Sequence, residues 1–127
     1  MGPANPWFSQ GFTQREVLEI SDQKIQILPL PYFIASKFSA HNSRGGKDPR
    51  TSHDFEDIVY VIDNRTDIVE QIAKASYHVR PYLKKQLEEI LNDGVMQEAI
   101  IGNLVYEARE ERYQRIIQCI EQIVNEI

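Results

Sequence analysis

The hydrophobic pattern of the chain changes period at Pro29-Leu30-Pro31, and that change splits it into two unequal parts. Ahead of the prolines, Val17 and Glu19 alternate with Leu18 and Ile20, and Ile25 and Ile27 alternate with Gln26 and Leu28. A period of two is that of a strand. The intervening "SDQK" supplies turn residues. Proline cannot donate to a strand ladder, so "PLP" ends the second run, and Pro31 suits the first position of a helix.

Behind the prolines, apolar residues recur every three or four positions. The spacing predicts a helix from Tyr32 to about Ser43, stopped by Gly45-Gly46. A second begins near Thr51 or Ser52, with Phe55, Ile58, Val59 and Ile62 facing the core. After the turn "DNRTD", "DIVEQIA" gives a short helix. Another carries Leu83, Leu87, Ile90 and Leu91, with Pro81 in its first turn and Gly94 as its cap. The last spans about Leu104 to Glu126 and carries Ile116, Ile117, Ile120, Ile123 and Val124 on one stripe. The expected fold class is α+β, mostly α: a short N-terminal β-hairpin followed by about five helices. A single domain is expected over residues 1–127, with 1–30 the N-terminal segment and hairpin and 31–127 the helical part. An isolated two-stranded hairpin is marginal in water. Trp7, Phe8 and Phe12 precede it without an evident element of their own, as though something should come before it.

With 127 residues, the chain has the size of one modest core. Its net charge of −5 argues against non-specific binding to nucleic acid or anionic membranes, which needs a dominant positive field, although a local basic patch stays open. Cys119 is the sole cysteine, which excludes an internal disulfide and a thiolate metal cluster. In "IIQCIEQIV" it reads as a small buried hydrophobe. No apolar run approaches the ~20 residues of a membrane span, and "MGPANPWF" lacks the basic start and apolar core of a secretion signal. A cytoplasmic location is expected.

Residues with chemical potential gather between Lys37 and Ile58, "KFSAHNSRGGKDPRTSHDFEDI". Lys37 and Arg44, seven apart, share a helix face with His41 between them, opposite Phe33, Ile34 and Phe38. Two cations there suit a triphosphate, with Gly45-Gly46 letting backbone amides approach it; they equally suit a solvated face whose cations favour the helix C-terminus. Asp54 and Asp57 flank the core face of the next helix. Such a pair can hold a metal or accept the proton of an attacking hydroxyl. Against that, "TSHD" fits a capping box from Thr51 to Asp54, and acids favour a first helical turn. His41, His53 and Asp54 have the residue types of an HD-type metal phosphohydrolase, at a separation short for that class and without a clear fourth ligand. Asp48, before Pro49, suits turn initiation. The sequence contains no Walker loop, Gly-x-Gly-x-x-Gly, His-Glu-x-x-His or Gly-x-Ser-x-Gly motif.

Taken whole, "PYFIASKFSAHNSRGGKDPRTSHDFEDIVYVIDNR" resembles the second half of the AbiEii-type nucleotidyltransferase-like proteins, the toxin family of type IV toxin–antitoxin systems. The likeness rests on Lys37-Phe38-Ser39-Ala40, Arg44-Gly45-Gly46-Lys47 and Asp54-Phe55-Glu56-Asp57-Ile58, in order and spacing, and covers about Asn5 to Leu91. It implies transfer of a nucleoside monophosphate from a nucleoside triphosphate, with magnesium, to a hydroxyl of RNA or protein. By position it makes Lys37, Arg44 and Lys47 phosphate-binding residues, and Asp54 and Asp57 the catalytic acids that take or orient the nucleophile.

The chain departs from the family in lacking the Gly-Ser motif and the Asp-x-Asp that hold the metals. It corresponds to the rear half of the fold, and on this reading has no metal ligands and no cofactor of its own. Magnesium and nucleoside triphosphate are implied only if a front half completes the site. The expectation is a truncated or split nucleotidyltransferase-like protein, inactive alone, whose partner is a separately encoded N-terminal half or a second copy of itself. The alternatives are a non-catalytic helical interaction module that forms homo- or hetero-oligomers and, more distantly, the metal phosphohydrolase. A membrane partner is not expected, and nucleic acid is left open.

Overall fold

The computed structural model describes residues 7, 16–20, 23–43 and 48–127, with 16–20 and 23–27 as backbone only. The fold is mostly helical. The helices are α1 (Leu30–Ser43), α2 (His53–Asn64), α3 (Ile68–Ala73), α4 (Arg80–Leu91), α5 (Gly94–Gly102) and α6 (Arg109–Glu126), with 3-10 turns at Pro49–Thr51 and Tyr106–Ala108. The expected N-terminal β-hairpin falls on residues 16–20 and 23–27, ahead of these helices, and the described helical part does not bear on it. The side chains of residues 16–20 and 23–27 and the intervening turn lie outside the described residues, as do Phe8 and Phe12.

One hydrophobic cluster joins all six helices. Ile34 and Phe38 of α1 lie in the same core as Phe55 and Ile58 of α2, and α1 packs more extensively on α2 than on any other described helix. Leu83, Leu87 and Ile90 of α4 pack with Ile116, Ile120 and Ile123 of α6. These positions are spaced three or four apart on each helix, so the same stripes read from the sequence close the core. Trp7 stacks on Tyr82 of α4 with ring centroids 5.1 Å apart. No described helix is long and apolar enough to cross a membrane.

Two boundaries differ from the sequence reading. Gly94 does not cap α4 but opens α5, because Asp93 turns its carboxylate onto the backbone N–H groups of Val95 and Met96 at 2.8 and 3.3 Å. The last helix begins at Arg109, not near Leu104. Leu104 is still buried, in the connection, where the Arg109 guanidinium donates to its carbonyl.

Candidate functional site

α1 and α2 are joined by a short connection, and its geometry sets what their facing side chains can do. Asp48 accepts the Arg50 N–H and pairs with its guanidinium, which fixes the Pro49–Thr51 turn. Arg50 also reaches Glu98 of α5 at 3.6 Å. Ser52 then caps α2: its Oγ accepts the Phe55 N–H at 3.1 Å. The expected capping box from Thr51 to Asp54 does not form: the Thr51 hydroxyl is spent on the Asp48 carbonyl, and the cap falls one residue later, at Ser52, as a single bond.

With the cap at Ser52, Asp54 and Asp57 fall on the side of α2 that faces α1. Lys37 Nζ lies 2.8 Å from an Asp57 carboxylate oxygen and 3.7 Å from one of Asp54. The two acids are not equivalent: the Asp54 side chain is 9% exposed and that of Asp57 48%. Lys37 also rests over the Phe33 ring, 5.5 Å from its centroid. Phe33 is therefore beside the lysine and not opposite it, as a four-residue step along a helix requires.

His41 departs from the sequence reading in a similar way. It is buried, not set on a solvent face between cations. Its Nδ1 lies 2.8 Å from Ser52 Oγ, and its ring packs on Phe55 with centroids 5.8 Å apart. With the imidazole neutral at Nδ1, the Ser52 hydroxyl donates to it while its oxygen holds the Phe55 amide. Burial holds the His41 pKa below the usual histidine range, against the opposing pull of the Asp54 charge. One residue further along, the Asn42 amide donates to Gln86 Oε1 of α4 at 3.0 Å.

Lys37, Asp54 and Asp57 are thus brought together, whereas Arg44 and Lys47 lie outside the described residues. The set His41, His53 and Asp54 does not assemble: His53 is almost fully exposed and approaches Glu56, while His41 is turned to Ser52. Among the described residues, no three His, Cys, Asp or Glu side chains are grouped to hold a metal ion.

A second polar cluster has no counterpart in the sequence reading. The Asp63 side chain, near the end of α2, is buried and bonded to the guanidiniums of both Arg112 and Arg115 on α6. Its partners are 49 and 52 residues away, so no local pattern announces them.

Neither a scan against protein-family models nor searches of curated proteins and of solved structures found a match. An ammonium shared by a buried and an exposed carboxylate can offer positive charge to a phosphate oxygen. The exposed carboxylate next to it can accept a hydroxyl proton.

Proposed function

We propose that the α1–α2 face is the rear wall of a nucleotidyl-transfer site of the AbiEii type, carried by a chain that does not complete the reaction alone. The observation that carries this reading is the convergence of Lys37 with Asp54 and Asp57 across two helices. Lys37, with Arg44 and Lys47 just beyond the end of α1, would take the phosphates; Asp57, half in solvent, would receive the proton of the attacking hydroxyl, and Asp54 would orient it. Transfer of this kind depends on positioning and on positive charge at the phosphate oxygens.

The residues present do not fit a magnesium ion. The two carboxylates already face an ammonium, which repels a second cation, and no third acid joins them among the described residues. Magnesium would need carboxylates from elsewhere. The proposed source is a separately encoded front half that pairs with the edge of the hairpin expected from the sequence ahead of Pro29, because an open strand edge favours a further strand.

Calorimetric titration with each nucleoside triphosphate plus magnesium tests the proposal, using the wild type, Lys37→Ala and Arg44→Ala. Binding that is lost in both variants is expected. A wild type that binds none of the four nucleotides overturns the nucleotide site.

A second reading is favoured by the exposed face near the end of α5, a non-catalytic interaction module that forms homo- or hetero-oligomers. Tyr60, Val105 and Tyr106 are 68%, 56% and 81% exposed, large apolar side chains left to solvent. Light scattering decides for the homo-oligomer: a mass that stays at one chain as concentration rises removes self-association.

A further inference from the structure

Between Glu70 and Glu88 the chain carries no acid, although its net charge is −5, and Lys74, Arg80, Lys84 and Lys85 all fall in that stretch. These cations differ in what they face. Lys74 is paired with Glu70 at 2.7 Å. Arg80, Lys84 and Lys85 of α4 have no acid or carbonyl partner, whereas every other lysine or arginine side chain among the described residues has one. Glu88 and Glu89 stand four residues beyond Lys84 and Lys85, yet neither pairs with them. Lys85 is exposed, and Arg80 and Lys84 are half-buried. Side chains of this length keep the charged head in water over a covered stem.

α4 is built against its own dipole. Its first turn holds Arg80 and no acid, its N-cap Val79 offers no side-chain acceptor, and its last turn holds Glu88 and Glu89. Acids suit the start of a helix and cations its end. Arg80 and Lys84 add a like-charged pair four residues apart. An anion laid along the first half of α4 removes the mismatch there. Beside these cations, Tyr77 and His78 stand in the turn that leads into the helix, their rings stacked with centroids 4.0 Å apart. Tyr77 is 68% exposed, and His78 is exposed as well. Val79, buried in the core, and Ser76 Oγ, which accepts the His78 N–H at 3.2 Å, hold that turn in place.

We propose that this end of α4 binds single-stranded nucleic acid, with phosphates on Arg80, Lys84 and Lys85 and a base stacked on Tyr77. Every base has a π-face, so an open ring beside cations holds the polymer without reading its sequence. The acids elsewhere in the chain do not cancel the local field, because at physiological salt exposed charges more than about 8 Å apart are largely screened. A lipid surface calls for apolar side chains beside the cations, and Tyr77 is the only large exposed one between Glu70 and Glu88. None of these residues belongs to the Lys37–Asp54–Asp57 site, and the binding does not require nucleotidyl transfer.

Fluorescence anisotropy of labelled oligouridylate and oligothymidylate, titrated with the full chain, tests the proposal. Both are expected to bind, with log K falling against log salt at a slope of about −2, as three phosphate contacts to a single strand require. The double variant Lys84→Gln/Lys85→Gln is expected to weaken binding roughly tenfold or more and to flatten the slope to about −0.7. Tyr77→Ala is expected to weaken it several-fold at unchanged slope, which marks a lost stack and not a lost charge. Lys37→Ala, on the α1–α2 face, is expected to bind as the wild type does. Absence of saturable binding at about 50 mM salt overturns the proposal. So does an affinity unmoved in the double variant or in Tyr77→Ala, equal displacement by polyglutamate at matched charge, or binding lost in Lys37→Ala.

Discussion

Lys37 joins α1 to α2 by setting one ammonium 2.8 Å from Asp57 and 3.7 Å from Asp54, so a single cation serves an exposed and a buried carboxylate. The two halves of this arrangement have different energetic weight. An ion pair half in water contributes little, and Asp57→Asn is expected to cost under about 1 kcal/mol. Lys37→Met withdraws the cation from Asp54 inside the interface and is expected to cost about 2 kcal/mol. Urea unfolding of both variants measures the difference. Equal costs would show that Asp54 does not depend on the lysine.

Gly94 separates two structures that the sequence alone leaves equally open. A glycine in the left-handed conformation after α4 would resist a side chain. Gly94 instead opens α5, and a Cβ built there meets nothing within 4 Å. Gly94→Ala is therefore expected to stabilise by roughly 0.4–1 kcal/mol, through the smaller freedom of the unfolded chain. Asp93→Ala, which removes the cap of the same helix, is expected to destabilise by about 1 kcal/mol. Thermal melts of the two variants should move in opposite directions.

The contrast shows which parts of the fold the sequence carries. Stripes such as Phe55-Ile58-Val59-Ile62 and Leu83-Leu87-Ile90 are local and periodic, and they lie in the core as read. "NDG" satisfies both a helix stop and a helix start, and only the Asp93 side chain, turned forward onto Val95, decides between them. Lys37 and the two aspartates could be nominated because a motif spaced them. What could not be read is the side to which His41 turns, since its partner is the serine that caps the next helix. The Asp63 cluster is less legible still, because its geometry exists only once α6 has docked on α2.

His41 links pH to stability with a definite sign. Burial lowers its pKa from the model-compound value of 6.5. The unfolded chain therefore takes up the proton first as pH falls, and stability present above about pH 6.5 declines until the lowered folded pKa is passed. The steepest contribution is about 1.4 kcal/mol per pH unit. Protonation also turns Nδ1 from acceptor to donor, so the Ser52 hydroxyl loses the partner that orients it as the α2 cap. Asp54 offsets part of the effect by favouring the imidazolium. His41→Gln is expected to be less stable at neutral pH but flatter as pH falls below 6.5 in urea unfolding. Parallel profiles for variant and wild type would assign the acid response to other groups.

Asp63 is where α2 and α6 are held by charge, and its two arginines make it a test of how a buried carboxylate is neutralised. The acid is buried, whereas the side chains of Arg112 and Arg115 are 36% and 60% exposed. Removal of the acid leaves two guanidiniums that water can still reach. Removal of both bases leaves a mostly buried carboxylate with neither of its cations beside it. Asp63→Asn is accordingly expected to cost about 2 kcal/mol through lost charge-assisted bonds. Arg112→Ala and Arg115→Ala are each expected to cost about 1 kcal/mol, because the remaining arginine still neutralises the acid. The double variant is expected to cost more than the two together, about 3–5 kcal/mol, as the buried charge is then uncompensated. Urea midpoints at constant slope give all four values. Strict additivity of the two arginine variants would mean that each guanidinium acts on Asp63 alone, without the shared neutralisation that the geometry requires.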